Sequence, residues 1–196
     1  SLILNGQNDR SMVSARSLAA LSSCPELPAA RWIHVPGLCE ARLLAERLAS
    51  ARARGAKISV SGSFAPDELS ALRGRRDRPW DQLVLNAREA ELAAGSAREV
   101  SRLEGVSVDI LVTDGPRGAA GVLDGQRVEE PSSPVEVVDT TGAGDAFCAG
   151  LLAARLRGHP PARALGFATR VASRIVSRRG GVVLRDDVLS DLGGEL

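Results

Sequence analysis

Short apolar segments rich in β-branched residues alternate along this chain with longer segments of helical periodicity. Strands are predicted at Leu2–Leu4, Trp32–Val35, Lys57–Ser61, Gln82–Leu85, Asp109–Thr113 and Val135–Val138. Helices are predicted at Glu40–Arg54, Pro66–Leu72, Ala87–Ala94, Ala97–Leu103, Gly144–Arg157 and Pro161–Arg178. Such alternation is typical of βαβ units, so it predicts an α/β fold in which helices cover both faces of a mostly parallel sheet. One segment departs from this rhythm, because Asp124-Gly125 within Ala120–Pro131 predicts a β-hairpin.

The size and composition of the chain limit the alternatives. We expect one domain over residues 1–196, since the 196 residues show no internal repeat or linker. The net charge of +1 and the aromatic content of 3% argue against a nucleic-acid partner. No apolar run reaches the roughly 18 residues of a membrane-spanning helix. The three cysteines, Cys24, Cys39 and Cys148, have neither zinc-site nor disulfide-framework spacing, which favours a cytoplasmic location.

Unusual residues follow three of the predicted strands. They lie in the segments 84–95, 111–119 and 137–150. Ligands of parallel α/β sheets bind at the carboxyl ends of the strands, where loops lead into helices. We therefore expect these three segments to form one functional site.

The segment VVDTTGAGDAFCAG, residues 137–150, has the composition of an anion site. Gly142 and Gly144 permit a tight turn, and the amides of Gly142, Ala143 and Gly144 would face outward at a helix N-terminus. Asp145 in the first helical turn could accept the proton of an attacking hydroxyl group. Asp139 and Thr141 could support the loop or hold a cation. The alternative is an ordinary glycine turn with Asp145 as a helix-starting residue that matches the helix dipole.

Two other phosphate-binding motifs fail to match the sequence in detail. A Walker A loop needs GxxxxGK[ST], whereas the sole lysine is Lys57. A dinucleotide-binding fingerprint needs a third glycine where the chain has Phe147.

The nine residues DTTGAGDAF resemble the signature of the ribokinase-like, or PfkB, family of carbohydrate and nucleoside kinases. LVLNAREAELAAG resembles the Asn-x-x-Glu segment of that family, and LVTDGPRGAAGVLDG its Thr-x-Gly-x-x-Gly segment with a following hairpin. The resemblance implies a three-layer, Rossmann-like α/β/α domain with a small β-sheet lid. It also implies transfer of the γ-phosphoryl group of ATP, with Mg²⁺, to a hydroxyl of a sugar or nucleoside.

Site residues follow from the resemblance, position by position. Asp145 would be the catalytic base and Gly142-Ala143-Gly144 the anion hole. The nucleotide would be bound by Asn86, Thr113, Gly115, Gly118, Thr140 and Thr141, and the metal placed by Asn86, Glu89 and Asp139. Asn86 and Glu89 share one face of a helical turn, and the alternative for this pair is a capping box.

Departures from the family pattern set limits on these expectations. SRRGGVVL resembles part of a monovalent-cation loop, but Val183 or Leu184 stands where a small polar residue is expected, which makes K⁺ activation doubtful. The chain begins at SLILNGQNDRSMV, which resembles a lid strand and its turn, so we expect the N-terminal third and most of the lid to be absent from this sequence.

Open alternatives follow from that departure. A homodimer formed through lid strands is possible in this family. The alternative function is a non-catalytic nucleotide-binding remnant, and an NAD-binding domain is a weaker third reading. His34 and Cys148 are interpreted as residues of a strand and of the core.

Overall fold

A computed structural model describes residues 2–5, 10–13, 21, 23–97 and 100–181, the first two of these ranges as backbone only. Its strands are β1 (Leu2–Asn5), β2 (Arg10–Val13), β3 (Trp32–Val35), β4 (Lys57–Ser61), β5 (Trp80–Asn86), β6 (Ser107–Thr113), β7 (Ala119–Leu123) and β8 (Gln126–Glu130). Its α-helices are α1 (Leu38–Leu43), α2 (Ala45–Ala53), α3 (Pro66–Ser70), α4 (Ala87–Ala94), α5 (Ala143–Leu156) and α6 (Pro161–Val176). Short 3₁₀ turns lie at Val100–Leu103 and Gly115–Arg117.

Six of the strands form one sheet in the order β3-β4-β5-β6-β7-β8. The pairs from β3 to β6 are parallel, and β7 and β8 add an antiparallel hairpin that turns at Asp124-Gly125, as predicted. β1 and β2 pair separately as an antiparallel ribbon. The parallel strands place their carboxyl ends at one edge, where β5 leads into α4 and β6 leads into the turn at Gly115–Arg117.

Helices cover both faces of this sheet, because the side chains of each strand alternate between the faces. On one face Ile58, Leu83 and Ile110 belong to a core that includes residues of α1 to α4. On the other face Val84 and Leu111 belong to a core that includes residues of α5 and α6. The three-layer α/β/α prediction is therefore confirmed.

The predicted strand at Val135–Val138 is wrong. Residues 131–140 are described and contain no strand, and the Val137 side chain is 61% exposed. The Val138 and Asp139 amides instead donate to Val176 O, at the end of α6. A run of valines becomes a strand only where another strand accepts its hydrogen bonds, and here a helix end accepts them.

Two predicted helices also differ from the structure. Glu40–Arg54 is divided into α1 and α2 at Leu44, whose backbone dihedrals leave the helical region and whose side chain is buried in the core. Ala97–Leu103 contracts to the 3₁₀ turn at Val100–Leu103, with residues 98–99 outside the described chain. The other predicted helices and strands are confirmed with small shifts of their ends. None of the described helices combines the length and apolarity needed to cross a membrane.

Candidate active site

The residue that precedes α5, Gly142, has a backbone conformation that only glycine adopts readily. Gly142 has φ +76°, and a Cβ at this position would lie 2.9 Å from the Cα and O atoms of Gly181. The Ala146 amide donates to Gly142 O at 2.8 Å, which is the first hydrogen bond of the helix. The Ala143 amide donates to Thr140 O at 3.3 Å, so one of the three predicted anion-hole amides already has a partner.

Gly144 differs from Gly142 because neither dihedral strain nor packing requires a glycine there. Its φ is outside the positive range, and a Cβ would meet no heavy atom of the described residues within 4 Å. Gly144 and Asp145 are both exposed in the first turn of α5. The amides of a first helical turn have no intrahelical acceptor, and the helix dipole favours a negative charge beside them. A phosphoryl group could therefore approach the backbone closely at this turn.

Asp139 connects the loop before α5 to the segment after α6. Its Oδ1 accepts the Thr141 amide at 2.9 Å, and its Oδ2 accepts the Gly180 amide at 3.0 Å. A Cβ on Gly181 would lie 3.1 Å from Thr141 O, so the two segments approach each other closely. This carboxylate thus braces the loop that carries Gly142, one of the two roles considered for it. Thr140 is exposed beside it. Val183 and Leu184 lie outside the described residues.

Asn86 and Glu89 form a capping box at the N-terminus of α4. The Glu89 amide donates to Asn86 Oδ1 and the Asn86 amide to Glu89 Oε2, both at 2.9 Å. The structure therefore contains the capping box that was the alternative to a shared metal ion for this pair. Asn86 remains exposed, whereas Glu89 is only 5% exposed.

Glu89 has a further backbone partner distant in sequence. Its Oε1 accepts the Phe64 amide at 2.7 Å. Ser63 and Phe64 have φ values of 53° and 42°, unusual for residues with side chains, and this hydrogen bond helps to hold them. Gly62 provides the space, because a Cβ there would lie 2.4 Å from Glu89 Oε2. Glu89 therefore fixes the loop after β4 against the start of α4.

The third predicted segment follows β6 and lies beside the second. Thr113 is the register partner of Asn86 on β5. A tight turn closes behind it, since the Asp114 amide donates to Gly118 O at 2.7 Å and the Gly118 amide to Gly115 O at 3.0 Å. Gly118 requires its glycine, because a Cβ would lie 2.0 Å from Glu130 O. Gly115 is exposed with φ +51° and open space around it.

Electrostatics connect α5 to the neighbouring strands. Burial raises the pKa of the Cys148 thiol to about 12, assisted by the negative charges of Asp145 and Glu89 and opposed by a hydrogen bond with Ser61. Burial lowers the pKa of His34, and the nearby Asp145 carboxylate opposes that shift. The negative charges of Asp145 and Glu89 thus both act on the Cys148 thiol, which lies on the buried face of α5. Cys148 is a core residue, as predicted.

The site fits the phosphate groups of a nucleotide better than it fits a metal ion. The exposed first turn of α5 and the open space at Gly144 and Gly115 fit phosphate groups. The described residues contain no group of three or more His, Cys, Asp or Glu side chains placed to hold a metal ion. Both carboxylates predicted to place the metal, Glu89 and Asp139, accept backbone amides. Their metal role stays a prediction.

Some residues of the site were not identified from the sequence. Phe64 and Gly180 contact the predicted residues across 25 and 41 positions. His34 was interpreted as a plain strand residue, yet it forms hydrogen bonds with two serines of β4. The only sequence signal was the polar pattern Ser59-x-Ser61 in a strand otherwise suited to a buried face.

Comparisons with known proteins identify the family and the fold of this chain. The family model described as "pfkB family carbohydrate kinase" matches residues 2–186. A fructokinase of Klebsiella pneumoniae is 34% identical over 148 residues, which are 66% of this chain and 47% of the relative. This chain thus spans about half the length of that relative.

Solved structures show the same fold. The adenosine kinase of Sinorhizobium meliloti superposes with a TM-score of 0.72 at 20% identity, over 91% of this chain and 57% of that protein. An E. coli protein described as a ribokinase II, in complex with ATP and Mg²⁺, superposes with a TM-score of 0.65 at 25% identity, over 77% of this chain and 54% of that one. Because the family model matches residues 2–186 of its 196 residues, this chain belongs to the pfkB family of carbohydrate kinases.

Proposed function

We propose that the protein containing this chain transfers the γ-phosphoryl group of ATP to a hydroxyl of a sugar or related small molecule. The observation that carries the proposal is the exposed first turn of α5, where Gly144 leaves open space next to Asp145. The fructokinase relative and the ATP and Mg²⁺ complex of the E. coli neighbour support the acceptor class and the nucleotide.

Asp145 acts as the general base in this proposal. It stands in the first turn of α5, exposed, where an acceptor hydroxyl can reach it. Phosphoryl transfer passes through a loose transition state, so a well-positioned carboxylate suffices. Asp145 takes the hydroxyl proton as the acceptor oxygen attacks the γ-phosphorus and the bond to the ADP leaving group breaks.

The amides of Gly142 and Gly144 stabilise the charge on the transferred phosphoryl group, and the Ala143 amide joins them by exchanging its 3.3 Å hydrogen bond to Thr140 O for a phosphoryl oxygen. Donors fixed before the reaction need no reorganisation when charge develops on the phosphoryl oxygens. Asp139 contributes indirectly, because its two hydrogen bonds hold the loop on which these amides depend.

The nucleotide lies across the loops after β6 and before α5. Thr113, Gly115 and Gly118 form one side, and Thr140 and Thr141 the other. Mg²⁺, when bound, would neutralise charge on the phosphate groups. Asn86 and Glu89 would contact its hydration shell, and Asn86 is the exposed member of that pair.

The test is a phosphoryl-transfer assay of the full-length protein with Mg²⁺·ATP and a panel of sugars and nucleosides. We expect ADP and a phosphorylated product to form together with at least one hydroxylated acceptor. ATP binding without transfer to any acceptor would instead support the non-catalytic remnant, and nicotinamide-cofactor binding would support the NAD-binding domain.

A further inference from the structure

A guanidinium and an aromatic ring stack at the carboxyl edge of the sheet. Phe64, in the loop after β4, is 45% exposed, and few other large apolar side chains of the described residues are as open to water. The Cζ atom of Arg88, in the first turn of α4, lies 4.6 Å from the centroid of the Phe64 ring. This distance is that of a cation–π contact, and we refer to the two residues as the Phe64–Arg88 pair.

One buried carboxylate holds the backbone on both sides of the pair. Glu89 Oε1 accepts the Phe64 amide at 2.7 Å, and Glu89 Oε2 accepts the Asn86 amide at 2.9 Å. The first bond fixes the loop that carries the ring, and the second fixes the start of the helix that carries the guanidinium. Phe64 keeps its unusual φ of 42° within this arrangement. The ring and the guanidinium therefore have a defined relative position before any ligand binds.

The Arg88 guanidinium retains its hydrogen-bond donors. Across the described residues it forms neither an ion pair nor a hydrogen bond, and its contact is with the Phe64 ring. The ring covers one face of the guanidinium, whereas the N–H donors lie in its plane and can reach two oxygens of one anion. Arg88 is therefore suited to a bidentate contact with a phosphate group.

The charge balance of the candidate site also favours an anion at Arg88. The segments 84–95, 111–119 and 137–150, all of which the structure describes, contain five carboxylates and only two basic residues, Arg88 and Arg117. Arg117 is engaged, because its Nε and Nη2 donate to the two oxygens of Asp114 at 2.6 and 2.8 Å. Within these three segments, Arg88 is thus the basic side chain left to offset the charge of a polyanion.

The position of the pair along the sheet edge indicates which anion it meets. The order across the edge is the turn after Thr113 on β6, then Asn86 on β5, then the loop after β4 with Phe64. The nucleotide of the proposed function lies over that turn, with the hydration shell of Mg²⁺ at Asn86. Arg88 follows Asn86 by two residues, so the terminal phosphates, rather than the base, would come nearest to it.

We propose that the Phe64–Arg88 pair recognises the terminal phosphates of the nucleotide: Arg88 donates to oxygens of the β- or γ-phosphate, and Phe64 holds its guanidinium in place. The pair thereby selects a nucleoside triphosphate over a monophosphate. Arg88 is the binding residue, and Phe64 is a positioning residue that acts through it. This inference rests on the proposed function, which supplies the position of the nucleotide.

The test measures nucleotide binding to the full-length protein without an acceptor, by calorimetry with Mg²⁺·ATP and by competition with AMP. Arg88→Met keeps an apolar stem over the ring but removes the charge, Arg88→Lys keeps the charge but not the planar fork, and Phe64→Leu removes the ring. Arg127→Met is the control for a lost charge, because Arg127 is exposed on β8 near the hairpin turn, away from the carboxyl edge.

We expect Arg88→Met to weaken ATP binding about 10- to 100-fold, as is typical of a lost hydrogen bond to a charged group, and to change AMP binding less than about twofold. Arg88→Lys should lose less ATP affinity, since an ammonium still attracts phosphate. Phe64→Leu should also lose less, because the guanidinium remains and only its support is gone. Arg127→Met should change neither affinity.

Wild-type ATP affinity in Arg88→Met would overturn the inference, including the case in which only the KM for an anionic acceptor rises. An equal loss of ATP and AMP binding would also overturn it, because a general disturbance of the site would then explain both losses. Failure of the proposed function has a different signature. A full-length protein that transfers phosphoryl groups to no acceptor, yet loses ATP affinity selectively in Arg88→Met, would refute the proposed transfer and support the role of the pair.

Discussion

Gly144→Ala separates the structural from the chemical role of a glycine in the first turn of α5. The new Cβ would meet no heavy atom of the described residues within 4 Å, and φ lies outside the strained range. Alanine in a helix is more stable than glycine by about 0.5–1 kcal/mol, so the free energy of unfolding should rise by up to that amount. For a domain of this size this corresponds to a Tm increase of about 2–4 °C. A phosphoryl group bound at these amides would collide with the methyl group, and losing such a contact typically lowers kcat by about 100-fold.

The assay pairs thermal unfolding with phosphoryl transfer at saturating ATP, on the full-length protein. Gly142→Ala and Gly125→Ala are the controls. Both positions have φ near +75°, and only Gly142 would also clash, with Gly181. Each should lose about 1 kcal/mol or more, with the larger loss at Gly142. A Gly144→Ala protein that is at least as stable as the wild type and equally active would refute close phosphoryl approach at this turn.

Two further predictions concern Glu89 and Cys148. Glu89→Ala should lower the free energy of unfolding by about 2–4 kcal/mol, because the Asn86 and Phe64 amides both lose their acceptor. Chemical denaturation measures this change, with Glu91→Ala on the exposed face of α4 as the control. An unchanged denaturation midpoint would show that Glu89 does not hold the loop. Cys148, with its pKa of about 12, should resist alkylation at pH 8 in the folded protein and react after unfolding, since only about one thiol in ten thousand is ionised. Peptide mass spectrometry with Cys24 and Cys39 as internal references reports this, and rapid labelling of native Cys148 would contradict its burial.

Local signals predicted most of the fold because they are repeated along the chain. The β-branched runs at Trp32–Val35 and Lys57–Ser61 and the helix Ala87–Ala94 have the predicted bounds. Asp124-Gly125 determined the hairpin through its turn chemistry. Val135–Val138 was mispredicted because strand propensity does not reveal whether a neighbouring strand exists.

The candidate site was predictable in its residues and less so in their contacts. Asn86 and Glu89 lie three residues apart, so either a capping box or a shared ion was compatible with the sequence. The contact of Glu89 with Phe64 spans 25 residues and depends on how β4 and β5 align, which no local pattern encodes. The contacts of His34 could not be predicted from its own strand, because its partners Ser59 and Ser61 lie on the neighbouring strand.

Replacement of Asp145 by Asn tests the central claim most directly. Asparagine keeps the shape of the side chain in the first turn of α5 but cannot accept the proton of the acceptor hydroxyl at neutral pH. The decisive measurement is kcat of the full-length Asp145→Asn protein, with ATP affinity measured alongside by calorimetry. The account predicts a loss of about 10²–10⁴-fold in kcat with ATP affinity within a few-fold of the wild type. Turnover comparable to the wild type would contradict Asp145 as the base.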